Sequence, residues 1–128
     1  MSSEILKGKK ILIVEDDRSS SLYLNKILEK TGAILINAAD GLEAYNIATG
    51  EKDLDVILMD IQLPVMDGYV STKKIRQLGL DVVIIAQTAY GLPGDMDNLK
   101  SSGFDDYLIK PIYSSQLIVK IISLTSKP

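Results

Sequence analysis

In this 128-residue chain, a small set of residues suited to metal or phosphoryl chemistry stands at the ends of apolar runs. Asp60 follows Val56-Ile57-Leu58-Met59, and Glu15 and Asp16 follow Ile11-Leu12-Ile13-Val14. Thr88 closes the run that starts at Val82, and Lys110 comes directly after Asp106-Tyr107-Leu108-Ile109. A carboxylate left unpaired inside a core costs several kcal/mol, so each acid must project beyond the run that carries it. Three carboxylates brought together cannot all stay ionised without a counter-charge. A divalent cation supplies it, and an oxygen-only shell suits magnesium, with manganese or calcium as the alternatives. A lysine ammonium and a threonine hydroxyl beside such a cation would stabilise an oxyanion with three oxygens, which points to a phosphoryl group. A carboxylate can itself be the nucleophile, and Asp60, set apart from the Glu15-Asp16 pair, is the candidate.

These residues are far apart in sequence, so the elements around them must converge. The apolar runs are short, continuous and rich in β-branched residues, as in strands buried on both faces of a parallel sheet. Strands are expected at 10–14, 33–38, 56–59, 82–86 and 106–109. Helical spacing follows each one. The first helix carries Leu24, Ile27 and Leu28 and stops at Gly32; the second starts at an Asp40 cap and ends at Gly50. The third runs from Tyr69 to Leu78 with Gly79 as its stop. The fourth is expected from about Leu92 to Ser102 with Gly103 after it, and the last from about Ser114 to Leu124. Asp17 and Asp67 read as helix caps, and Gly91 to Gly94 as a turn. Alternating strands and helices imply a doubly wound α/β fold: a five-stranded parallel sheet with helices on both faces. Such a fold gathers Glu15, Asp16, Asp60, Thr88 and Lys110 along one edge, where open α/β sheets bind ligands.

Composition narrows the classes further. The length allows one domain, expected over 9–125 after a polar lead-in at 1–8, with no output domain. The chain lacks cysteine and histidine, which excludes thiolate and imidazole chemistry and zinc sites built on them. A net charge of -3 with no basic run argues against direct nucleic-acid binding. No apolar stretch reaches the roughly 18 residues of a membrane span, so a cytoplasmic protein without membrane partners is expected.

In order and spacing, Ile-Leu-Ile-Val-Glu15-Asp16-Asp17, Leu-Met-Asp60-Ile-Gln-Leu-Pro64-Val-Met-Asp67-Gly68, Ile-Ala-Gln-Thr88-Ala89-Tyr90 and Asp-Tyr107-Leu-Ile-Lys110-Pro111 resemble the receiver domain of two-component response regulators, from about Lys9 to Leu124. The resemblance implies a flavodoxin-like fold in which Asp60 accepts a phosphoryl group from a phosphohistidine on a histidine kinase or histidine phosphotransfer protein. It implies magnesium held by Asp16, Asp60 and the backbone carbonyl of Gln62, with Glu15 acting through a bound water. Lys110 would pair with Asp60 and then with the phosphoryl oxygens. Thr88 would donate its hydroxyl and Ala89 its backbone amide. Thr88 and Tyr107 would couple phosphorylation to a changed surface on the fourth helix, fifth strand and fifth helix, read by a downstream protein. The Lys110-Pro111 peptide is expected to be cis, and Tyr90 to slow loss of the acyl phosphate. A stand-alone regulator and a receiver cut from a hybrid histidine kinase both fit; Leu6-Lys7-Gly8-Lys9-Lys10 is similar to an interdomain junction.

Other readings stay open beside this one. A constitutive binding module without phosphorylation is the alternative, although every site position holds a competent residue. An aspartyl-phosphate phosphatase would place its second acid at Gln62, which cannot protonate a leaving group. Tyr107 could be packed and static. In the last helix, Leu117, Ile118, Val119, Ile121, Ile122 and Leu124 exceed what one buried stripe needs. The helix either lies deep on a broad face, or Ile118 or Ile122 forms a docking or homodimer surface.

Overall fold

A computed structural model describes residues 4–89 and 95–126. The elements alternate throughout: β1 (Lys10–Val14), α1 (Arg18–Glu29), β2 (Ile34–Ala38), α2 (Gly41–Gly50), β3 (Val56–Asp60), α3 (Gly68–Gln77), β4 (Val83–Thr88), α4 (Asp95–Ser102), β5 (Asp106–Ile109) and α5 (Ser114–Thr125). The strands form one sheet in the order β2-β1-β3-β4-β5, and every pairing is parallel. The chain moves outward from β1 to β2, then returns past β1 to build β3, β4 and β5. This reversal opens a crevice beyond the carboxyl ends of β1 and β3.

The five apolar runs become strands, as expected, and the reason shows in their burial. All of β3 is buried, and β1 from Ile11 to Val14 and β4 from Ile84 to Gln87 are buried too, because helices cover both faces. Side chains alternate between two cores. Leu12, Val14, Ile57, Met59, Ile84 and Ala86 pack with Ala44 and Ala48 of α2, Ile75 of α3 and Leu99 of α4. Ile11, Ile13, Val56, Leu58 and Ile85 pack with Leu24 and Leu28 of α1 and Leu117 and Ile121 of α5.

The expected caps hold the helix starts in place. Asp17, Asp40 and Asp67 accept from the backbone N–H groups of Ser20, Glu43 and Val70 at 2.9, 2.8 and 2.9 Å. Gly68 is needed for close approach: a Cβ there would lie 2.2 Å from the Asp60 carbonyl oxygen. The start expected for α4 near Leu92, the Gly91–Gly94 turn and Tyr90 lie outside the described residues.

Two expectations change in detail. Within the polar lead-in, Leu6 is buried in the α1/α5 core, and its N–H donates to Thr31 O at 2.9 Å. The last helix does not lie deep on a broad face. It buries Leu117 and Ile121, packs Ile122 and Leu124 partly, and leaves Val119 65% exposed. Among the described residues, no helix is long and apolar enough to cross a membrane.

Candidate functional site

The crevice beyond β1 and β3 is a cavity of about 490 Å³, and its lining contains Glu15, Asp16, Asp60, Gln62, Thr88, Ala89 and Lys110. Each was expected from sequence at one site. The sheet brings them together through register: Asp60 lies opposite Gln87 on β4, and the Lys110 N–H donates to Thr88 O at 2.8 Å, which sets the lysine just past the end of β5. The Lys110-Pro111 peptide is cis.

Charge is concentrated here, and part of it is buried. Glu15 and Asp60 are each 5% exposed, while Asp16 is exposed. One carboxylate oxygen from each of Glu15, Asp16 and Asp60 lies within 4.8 Å of the others. The Lys110 ammonium bridges the buried pair, donating to Asp60 Oδ2 at 2.9 Å and to Glu15 Oε1 at 3.3 Å. The backbone N–H of Gln62 donates to Asp60 Oδ1 at 3.2 Å, and that of Asp17 to Glu15 Oε2 at 3.1 Å. Asp60 is therefore aimed by contacts at both oxygens.

The Glu15 carboxyl is pushed up from 4.5 to about 7, first by burial and then by the neighbouring charge of Asp60. The Asp17 N–H and Lys110 pull it the other way, and burial wins. Burial also pulls the Lys110 ammonium down, but its hydrogen bonds and attraction to Asp60 and Glu15 outweigh that and raise it. With all three acids ionised, a single ammonium leaves two negative charges uncompensated. An oxygen-only donor set with that charge fits a hard divalent cation that keeps several waters. A phosphoryl group brought to Asp60 would find the Lys110 ammonium, the Thr88 position and the Ala89 backbone on the same cavity wall.

Tyr107 is not part of this wall. It lies on β5 opposite Ala86, half-buried against the α2–α3–α4 core, with the Lys120 ammonium 5.9 Å from its ring centre. Three lining residues were given no role from sequence: Ile61, Tyr69 and Gln87. Gln87 carried a visible signal, an amide in an otherwise apolar run that the parallel sheet buries to 1% exposure.

Comparison with known proteins agrees with this geometry. A family model described as response regulator receiver domain matches residues 11–122. Two-component system protein A of Emericella nidulans is 37% identical over 117 residues, which cover 89% of this chain and 17% of that protein. The chain thus spans less than a fifth of this relative. Among solved structures, the receiver domain of sensor histidine kinase PA1611 from Pseudomonas aeruginosa PAO1, with magnesium coordinated in its active site cleft, is 35% identical with a TM-score of 0.84, covering 94% of this chain and 99% of that one. The receiver domain of Saccharomyces cerevisiae Ssk1, solved with the histidine phosphotransfer protein Ypd1, is also 35% identical, with a TM-score of 0.85 and coverage of 92% and 89%.

Proposed function

The chain belongs to the response regulator receiver domain family, and on that premise we propose that Asp60 is its phosphoacceptor, taking a phosphoryl group from a phosphohistidine on a histidine kinase or histidine phosphotransfer protein. The observation that carries this reading is Asp60 itself: a buried carboxylate at a cavity floor, fixed at Oδ1 by the Gln62 N–H and at Oδ2 by Lys110. In the transfer a carboxylate oxygen of Asp60 forms a bond to phosphorus as the phosphorus–nitrogen bond breaks, and the electron pair leaves with the imidazole.

The fixed donors do the rest of the work. Lys110 releases Asp60 and pairs with the phosphoryl oxygens, which keeps an ammonium beside the charge throughout. The Thr88 hydroxyl and the Ala89 N–H donate to the remaining oxygens. Glu15, Asp16, Asp60 and the Gln62 carbonyl would hold magnesium, Glu15 through water; when bound, it neutralises phosphoryl charge. The domain is a signalling module and catalyses at most its own phosphorylation and dephosphorylation. Thr88 and Tyr107 relay the phosphorylated state to the face formed by α4, β5 and α5, where a downstream protein or a second copy reads it.

Intact-mass spectrometry after incubation with acetyl phosphate and magnesium tests the reading. A single phosphoryl adduct is expected, dependent on magnesium and lost in Asp60→Asn. A folded protein that takes no adduct under any condition would leave a constitutive binding module instead.

A further inference from the structure

Gln87 is a polar group of the crevice that this reading does not use. Its amide Oε1 and Nε2 are both buried, and neither has a hydrogen-bond partner among the described residues. Buried polar atoms are nearly always paired, so an amide orphaned at both ends calls for a cause. Its place supplies one. Gln87 faces Asp60 across β3 and β4, with both side chains on the same side of the sheet. Lys110 starts beyond β5, on the far side of β4, and ends 2.9 Å from Asp60 on β3, so its stem crosses the strand that carries Gln87. Gln87, Lys110 and Glu15 also form the shared wall between the phosphoacceptor cavity and a second cavity of about 260 Å³ under α1. That second space is below the roughly 300 Å³ at which small-molecule sites begin, so a ligand for the amide is not the better reading.

Lys110 has three N–H donors, of which two are engaged, by Asp60 and Glu15. We propose that Gln87 is a positioning residue for Lys110: its amide oxygen accepts from the ammonium when the lysine lets go of Asp60 to meet the phosphoryl group. The inference rests on the phosphoacceptor reading. In the resting state Asp60 and Glu15 hold the ammonium. Once Asp60 Oδ2 gives up that contact, a rotation of the Gln87 side chain brings its oxygen to the lysine and keeps the charge over the crevice. No bond to Gln87 forms or breaks. The amide serves because it accepts without adding a further negative charge beside Glu15, Asp16 and Asp60.

The test compares wild type with Gln87→Met, which keeps length and burial but has no amide oxygen. Two readouts are taken: the time course of the acetyl phosphate adduct by intact mass, and the Lys110 ¹⁵Nζ signal with magnesium and beryllofluoride bound. We expect Gln87→Met to fold at least as stably as wild type, to acquire the adduct about tenfold more slowly and to lose the ordered Nζ signal, as fits one hydrogen bond to a charged group. A wild type that forms the adduct, with Gln87→Met matching it in rate and in Nζ signal, overturns the positioning role alone. A wild type that forms no adduct overturns the phosphoacceptor reading and this role with it.

Discussion

Burial beside a second acid puts the Glu15 carboxylate of the resting site under electrostatic strain. Its carboxyl is pushed up to about 7 by burial and by Asp60, so it holds a proton in the fold at pH values where the unfolded chain has lost it. The stability this contributes is fully present below pH 4.5 and is lost as pH rises through 7. Metal-free protein should therefore melt at a lower temperature at pH 8 than at pH 5, and magnesium should raise the melting temperature more at pH 8, where it meets no competing proton. Equal magnesium shifts at both values would count against Glu15 as part of the cation site. Glu15→Gln should stabilise the metal-free protein at pH 8 by on the order of 1–3 kcal/mol in denaturant unfolding while weakening magnesium binding; a loss of stability would mean the charge is well compensated already. At this scale the sequence showed most of the site, because Asp60, Glu15, Asp16 and Lys110 each break or end an apolar run, and a charge cannot be buried there without purpose. It did not show that Gln87 lacks a partner among the described residues, since an amide in a strand reads the same whether or not a partner waits across the sheet.

Helices and loops put these side chains within reach of one another, and two contacts between elements carry much of that. Gly68 lets the β3–α3 connection close on Asp60: its N–H donates to Ile61 O at 2.9 Å, and a Cβ would meet the Asp60 carbonyl oxygen. Gly68→Ala should displace the loop that carries Gln62, cost about 2 kcal/mol or more in urea unfolding and weaken magnesium binding; wild-type stability would show that the loop yields freely. Arg76 on α3 is a clamp at the opposite end of the sheet. Its guanidinium donates to Gly103 O at 2.9 Å, Leu80 O at 2.9 Å, Val82 O at 2.7 Å and Asp105 Oδ2 at 2.8 Å, tying α3 to the segments before β4 and β5. Arg76→Ala leaves these acceptors without that donor, and a loss of about 2–4 kcal/mol with little change in adduct formation is expected. An adduct rate that falls with stability would place the clamp in the function as well. Caps, strands and glycine stops were legible because they depend on neighbours in sequence. The Arg76 clamp was not, since its acceptors are backbone carbonyls whose position only the tertiary fold decides; an arginine near a helix end looks like any solvated charge. The burial of Leu6 was hidden for the same reason.

As a whole, the molecule keeps its chemistry at one edge of the sheet and a partly apolar surface along another. Val119 at 65% exposure and Tyr113 at 57% flank the groove between β5 and α5, beside Tyr107. Leu117 and Ile121 take the buried stripe of α5, Ile118 and Ile122 are half-buried, and Val119 is the most exposed of its apolar side chains. If this face closes on a second copy when Asp60 is phosphorylated, sedimentation with magnesium and beryllofluoride should show a dimer where the free protein is a monomer. A monomer in both states removes the homodimer and leaves the face to a downstream protein. Passage of a phosphoryl group from nitrogen to Asp60 can be followed directly. Phosphoramidate, which carries a phosphorus–nitrogen bond like that of phosphohistidine, can be incubated with the protein and magnesium. Borohydride then reduces an aspartyl phosphate to homoserine, or a glutamyl phosphate to 5-hydroxynorvaline, and peptide mass spectrometry locates the reduced residue. Conversion is expected at position 60 and nowhere else; conversion at Glu15 or Asp16, or none in protein that is folded and binds magnesium, would rule Asp60 out as the acceptor.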